Sequence, residues 1–281
     1  MRDLNGRGDL CCINTATLGY REPLAVTAER IAAQGFRWIT PWRQEVDEDN
    51  PQPAADAIRA AGLKVNAYCR TAYFASNEAA GRRAAIESNR RALETAAVLG
   101  APVLVAVVGG LPAGFKDIEG ARRQILDGLA ALQPTMHETG VRIALEPLHP
   151  VYAADRSLLN TLGQALDWCE LLDPSGHQGF GVAIDAYHVW WDPALMASIA
   201  RARERILALH VCDWLVETRD PLLDRGMMGD GVIDLKRLRA AVEAAGYTGP
   251  VEVEIFSKSD WWCRRPDETL QTCRERLFAC C

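Results

Sequence analysis

No stretch approaches the roughly 18 continuous apolar residues that a membrane helix requires. The opening Met1-Arg2-Asp3-Leu4-Asn5 runs toward a strand without the apolar segment of a secretory leader, so a cytoplasmic protein is expected. A surplus of positive charge is also lacking. Lys and Arg total 31 against 37 Asp and Glu, a formal net charge of −6, and the basic residues are interleaved with acidic ones, as in Ala28-Glu29-Arg30. Such a surface does not draw in a polyanion, and no nucleic-acid partner is expected. Cysteine is plentiful, but framework spacing is missing: nine cysteines contain no C-x-x-C, and Cys11, Cys12, Cys169 and Cys212 fall in apolar runs. They read as reduced thiols, and Cys280-Cys281 as a frayed end rather than a metal site. Glycine-rich phosphate turns are absent as well. The segment after the first strand, Asn14-Thr15-Ala16-Thr17-Leu18-Gly19, has no G-x-G-x-x-G, and Gly109-Gly110 lacks the Lys-Ser/Thr of a P-loop.

What is present is a repeat. Short apolar segments at 10–14, 37–40, 64–68, 103–107, 142–145, 181–184, 208–212 and 251–255 alternate with amphipathic stretches at 24–33, 54–60, 77–99, 118–138, 162–172, 193–203, 235–244 and 266–278. Eight strand–helix units predict a parallel sheet covered by helices. Gly35, Gly62, Gly100, Gly140 and Gly246 each stand after a helix and before a strand, where a left-handed residue stops a helix at little cost. With 49% hydrophobic residues, no interior linker and no nucleotide turn, the 281 residues read as a single (β/α)8 TIM barrel over 1–281 rather than an open doubly wound sheet. The longest irregular stretch, 215–231, follows the seventh strand and is expected to serve the active site.

Barrel enzymes carry their chemistry at the C-terminal ends of the strands. Four consecutive strands end in metal-ligand residues: Glu146, Asp185, His210 and Glu254. One acidic residue after an apolar strand reads equally as a helix cap or a surface ion pair. Four of them, each costly to bury unpaired, point to a shared divalent cation, and three carboxylates with one imidazole suit Mn, Mg, Co or Zn. In the eighth strand, alternation puts Glu252 and Glu254 on one face. Glu254 lies nearer the loop end and is the expected ligand, with Glu252 a buried supporting partner. His188, three residues after Asp185, is a candidate proton shuttle or substrate contact, or a structural bond to a neighbouring loop. His149 has a weaker claim to the substrate, and His137 and His177 are expected at the surface. Arg225 and Arg70 are candidates for binding substrate hydroxyl, carboxylate or phosphate groups, or are plain surface arginines. Trp42, Trp190, Trp191, Trp214, Trp261 and Trp262 fall in loops after strands. Trp191 and Trp214 in particular are expected to wall a sugar-like ring.

Leu145-Glu146-Pro147, Asp185-Ala186-Tyr187-His188, His210-Val211-Cys212-Asp213, Gly229-Asp230-Gly231-Val232-Ile233-Asp234, and Gly246-Tyr247-Thr248-Gly249 leading to Val253-Glu254-Ile255-Phe256 together resemble the xylose-isomerase-like TIM barrels. These include sugar and sugar-phosphate isomerases and epimerases, inosose isomerases and dehydratases, and endonuclease IV. The resemblance spans nearly the whole chain and implies that Glu146, Asp185, His210 and Glu254 bind one catalytic metal. The endonuclease branch adds zinc-binding histidines after its second and third strands. Thr40 and Tyr68-Cys69-Arg70 stand there, so a trinuclear site is not expected. The resemblance further implies an isomerase or epimerase of a keto-sugar, sugar or cyclitol, with Glu146 and Glu254 as acid and base. Two other readings stay open: a lyase or dehydratase using the same site with His188 as general acid, and a non-catalytic or nucleic-acid-binding barrel. The expected partner is a small-molecule substrate, and the sequence leaves open a homo-oligomer.

Overall fold

The structure is a computed structural model that describes residues 1–176 and 179–281. His177 therefore lies outside the described residues, while His137 is exposed as expected. Nine parallel strands form one nearly closed ring: β1 (Cys11–Asn14), β2 (Trp38–Thr40), β3 (Lys64–Val65), β4 (Tyr68–Cys69), β5 (Val103–Ala106), β6 (Arg142–Leu145), β7 (Phe180–Asp185), β8 (Ile206–Val211) and β9 (Val251–Val253). Their order is β3-β2-β1-β9-β8-β7-β6-β5-β4, and β1 pairs with both β2 and β9. The chain is thus a single TIM-barrel-like domain.

The ninth strand comes from the expected third one, which is interrupted. β3 pairs with β2 and β4 pairs with β5, so the strand changes partners across Asn66-Ala67. Asn66 turns its amide into the barrel, where Nδ2 donates to Glu252 at 2.7 Å. A second departure has a covalent cause. The expected helix 118–138 is two, α4 (Ile118–Ala130) and α5 (Gln133–Thr139), because Pro134 has no N–H to carry the helical bonding past Ala131-Leu132. The remaining helices are α1 (Leu24–Ala33), α2 (Gln52–Ala60), α3 (Ala79–Leu99), α6 (Leu162–Leu172), a single turn α7 (Ala186–Val189), α8 (Leu195–Ala202), α9 (Leu235–Ala244) and α10 (Pro266–Cys280). Gly100 and Gly140 close α3 and α5 in the left-handed conformation, at φ of 75° and 70°. No helix among the described residues is long and apolar enough to cross a membrane.

Two apolar layers result from strict alternation along the strands. Ile13, Ile143, Leu145, Ile184, Leu209 and Val253 point outward under the helices and belong to the main core. Ala144, Ala183 and Ala208 point inward with Val103, Val105 and Cys69, filling the barrel with small side chains. The next inward residue on each of those alanine strands is Glu146, Asp185 or His210. The periodicity that buries the core therefore delivers three polar groups to the top of the barrel interior.

Candidate metal centre and substrate cleft

Glu146, Asp185, His210 and Glu254 are all buried, with exposures of 5%, 0%, 0% and 4%. One ligand atom from each lies within 4.8 Å of all the others. β7 and β8 are in register here, Asp185 opposite His210, and Glu252 stands opposite His210 on the other side. Asp185 is also held by its own chain, since its Oδ1 caps α7 by accepting from Tyr187 N at 2.9 Å.

Hydrogen bonding within this group is incomplete. His210 Nδ1 lies 3.0 Å from Glu146 Oε1 and 3.8 Å from Glu254 Oε2, and its Nε2 lies 3.6 Å from Glu252 Oε1. None of these contacts has hydrogen-bond geometry, and Glu146 Oε1 and both His210 nitrogens remain without partners. Each such buried polar atom costs about 1–3 kcal/mol. Three carboxylates and one imidazole converging on a point, with lone pairs unspent, fit a divalent cation of the Mn, Mg, Co or Zn type.

The neighbouring Glu252 shows the contrast. It accepts from Asn14 Nδ2 at 2.8 Å, Thr40 Oγ1 at 2.6 Å and Asn66 Nδ2 at 2.7 Å. Asn14 Nδ2 also reaches Glu254 Oε1 at 2.9 Å, coupling the two layers. Glu252 is thus saturated by protein donors, and Glu254, one step nearer the loop, faces the cluster.

Electrostatics follow from this crowding. Burial pushes the Glu254 carboxyl up to about 8, against the pull of His210 and Arg225. Burial disfavours charge on His210, but Glu252, Glu146 and Glu254 outweigh it and hold the imidazole well above its ordinary value. Asp185 is likewise opposed by burial, and Arg225 brings it below the ordinary carboxylate range. Burial pushes His188 down to about 3, which leaves its ring neutral. Its Nδ1 accepts from His149 N at 3.2 Å, and its Nε2 lies 3.5 Å from Asp185 Oδ2.

Arg225, expected to contact substrate, is 3% exposed and serves first as a counter-ion. Its Nη1 donates to Asp185 Oδ2 at 2.9 Å and Glu254 Oε2 at 3.2 Å, and Nη2 lies 3.1 Å from His188 Nε2. The guanidinium is clasped between Tyr187 and Phe256, at 4.4 and 5.0 Å from their ring centroids. The irregular stretch after β8 sets its position. Asp213 holds that loop by accepting from Trp214, Gly229 and Ile233 backbone N–H groups, and Arg225 N bonds Phe256 O at 2.9 Å.

A narrow cleft opens above the cluster, walled by Glu146, Glu254, His188, Arg225, Arg70 and Trp42, among others. His149, Trp191 and Trp214 are not among its walls. His149 stacks on Trp214 at 4.6 Å and meets Trp191 edge-on at 5.8 Å, and Trp214 lies 4.6 Å from Tyr187. Trp191 Nε1 donates to His188 O at 2.8 Å. The expected tryptophan wall is instead an aromatic buttress behind His188 and Tyr187. Trp262 bonds Ala16 O and Trp261 is buried, so Trp42 is the one of the six that faces the cleft, aided by Phe256. Sequence reasoning missed Tyr152, Arg156 and Phe256 as wall residues. Their position in the long loops after β6 and β9 was the available signal.

Residues 28–277 match the family described as xylose isomerase-like TIM barrel. An inosose isomerase of Halalkalibacterium halodurans is 26% identical over 212 residues, which cover 72% of this chain and 70% of that protein. An L-ribulose-5-phosphate 3-epimerase of Escherichia coli is 24% identical over 210 residues, 73% of this chain and 69% of that one. Among solved structures, protein SMc04130 of Sinorhizobium meliloti 1021 superposes with a TM-score of 0.94 at 51% identity, covering 98% of this chain and 99% of its own. The IolI protein, crystallised with a bound zinc atom, shares the fold at a TM-score of 0.81 and 22% identity, covering 96% of each chain.

Proposed function

The chain belongs to the xylose isomerase-like TIM barrel family, within the sugar isomerase/epimerase superfamily of enzymes, and from that premise we propose a divalent-metal-dependent isomerase or epimerase of a keto-sugar, sugar or cyclitol. The observation that carries this reading is the buried convergence of Glu146, Asp185, His210 and Glu254, with Glu146 Oε1 and both His210 nitrogens unpartnered. These four would hold a divalent ion, which would supply positive charge to stabilise negative charge on a substrate oxygen. Asp185 and His210, tied into adjacent strands, hold and orient. Glu146 and Glu254 border the cleft and move the proton, one taking it from the substrate carbon and the other returning it. Arg225 steadies Asp185 and Glu254 and presents its remaining N–H groups to substrate oxygens, while Trp42 and Phe256 exclude water. Nine free cysteines support a reducing, cytoplasmic setting.

The elimination alternative asks for a donor that protonates a leaving group. His188, neutral in its buried setting, supplies a proton poorly, whereas exchange between two carboxylates does not need it. The test is NMR of solvent-deuterium incorporation with added Mn over a panel of keto-sugars and keto-cyclitols. Label in the starting material or its epimer is expected. A new unsaturated product replaces this reading with the lyase, and no label in any member of the panel overturns both.

A further inference from the structure

Most arginines around the barrel mouth are committed to carboxylates. Arg43 is spent on Glu48, at 2.8 and 2.6 Å, and Arg219 on Asp224. Two arginines of the cleft are not. Arg70 makes one long bond, from Nη1 to Thr71 O at 3.4 Å, and rests over the ring of Tyr73 at 4.9 Å. Arg156 rests over Tyr152 at 5.5 Å, and its buried Nε has no partner. Neither makes an ion pair among the described residues. An arginine fixed by an aromatic face keeps its planar fork free for a two-pronged acceptor.

The two approach the same cleft from neighbouring loops. Gly109 lies between them: it pairs with Ser157, next to Arg156, and at its φ of 97° a side chain would strike Tyr73, the shelf of Arg70. Both guanidiniums share the cleft with Glu146, Glu254 and Arg225, and a further cavity of about 360 Å³, lined by Trp42, Arg70 and Tyr73, opens beside it. Charge counting points the same way. Arg70, Arg156 and Arg225 face four carboxylates, Glu146, Asp185, Glu252 and Glu254, so the two charges of a bound divalent ion would leave the site with one positive charge in surplus. Surplus positive charge in a half-buried cleft favours an anion that enters with the substrate.

We propose that the substrate carries an anionic group, a carboxylate or a phosphate, remote from the reacting carbon and gripped by Arg70 and Arg156 at the mouth of the cleft. This rests on the isomerase/epimerase reading of the cleft and narrows its substrate class to sugar acids or sugar phosphates.

The experiment has two arms. In the first, titration calorimetry on the Mn-loaded protein compares inorganic phosphate, gluconate and the neutral sorbitol, in the wild type and in Arg70→Gln and Arg156→Gln, with the metal-stripped protein alongside. At least one anion is expected to bind more tightly than sorbitol, and each substitution to weaken it roughly ten- to hundredfold, as loss of a charged hydrogen-bond pair does. Whether phosphate or gluconate binds better identifies the group. Anion binding that is untouched by both substitutions, or that disappears only with the metal, overturns the proposal, as does equal binding of sorbitol. In the second arm, deuterium incorporation by the wild type compares D-fructose with D-fructose 6-phosphate and 5-keto-D-gluconate. Faster labelling of an anionic ketose supports the proposal. Labelling of fructose alone overturns it while leaving the isomerase reading intact, and no labelling together with arginine-dependent anion binding sinks the isomerase reading but not the anion site.

Discussion

Two buried arginines stand at opposite ends of this barrel, and their surroundings differ. Arg239, 2% exposed on α9, has every nitrogen engaged: Nε donates to Glu243 Oε1 at 2.9 Å, Nη1 to Cys281 O at 2.8 Å, and Nη2 to Arg2 O. Glu243 in turn accepts from Arg2 N at 2.6 Å, and Arg2 reaches Thr248 O and Gly249 O just before β9. This clasp is closed. Arg225, equally buried, leaves Nε without a partner and stands beside Glu146 Oε1 and a His210 whose nitrogens are also unpartnered. The residue types are nearly the same at both ends. Where donors and acceptors are matched, buried charge fastens the fold. Where they are not, the interior keeps an unfilled demand that a ligand can meet.

The largest expected effect separates the two ends directly. Glu146→Gln and Glu254→Gln should each lower turnover by about 10²- to 10⁴-fold in the deuterium assay, the range of a lost acid or base. Arg239→Met should leave the rate per folded molecule within twofold or so of wild type and instead cost roughly 1–3 kcal/mol in urea unfolding, because Cys281 O and Arg2 O lose their donor and Glu243 keeps only Arg2. If Arg239→Met slows turnover as much as Glu254→Gln does, the division of labour is wrong. Next in size is the response to metal. Adding Mn at about 100 times its dissociation constant should stabilise the wild type and Arg239→Met by about 2.7 kcal/mol, read as a rise in melting temperature that a chelator reverses. His210→Ala should lose that rise, and a rise that survives in this variant would place the ion elsewhere.

The smallest effect is one of pH. Burial opposes ionisation of Glu243, but its hydrogen bonds from Arg239 and Arg2 outweigh this and hold the carboxyl below its ordinary value. A carboxyl depressed in the folded protein contributes stability above its unfolded pKa, near 4.3, and loses it as the pH falls through the folded value. Unfolding midpoints of the wild type should therefore decline between about pH 4.5 and pH 3, and Glu243→Gln should flatten that decline. Identical acid limbs for the two proteins would show that Glu243 is not held by the clasp.

Much of the site was legible because strands alternate. Once 142–145, 181–184, 208–212 and 251–255 read as strands, the inward positions run through Ala144 to Glu146, Ala183 to Asp185, Ala208 to His210 and Glu252 to Glu254 without any tertiary knowledge. The helix stops at Gly100 and Gly140 were legible for the same reason, that backbone conformation is local. The break at Pro134 is hidden from periodicity, because the helical pattern continues across it. Loop side chains escaped such reasoning. His149, Trp191 and Trp214 carry suitable chemistry but pack behind the cleft, while Arg156 and Phe256 enter it.

The sequence by itself thus determined the repeating strand–helix order, the inward placement of Glu146, Asp185, His210 and Glu254 and the lack of histidines after the second and third strands. These depend on periodicity and covalent geometry within a few residues. Tertiary structure decided that Glu252 is saturated by Asn14, Thr40 and Asn66, that Arg225 reaches back 40 residues to Asp185, and that Arg70 and Arg156 rest on aromatic rings without an ion pair. Which polar groups find partners depends on strands and loops distant in the chain, and only their packing around the closed ring sets those distances.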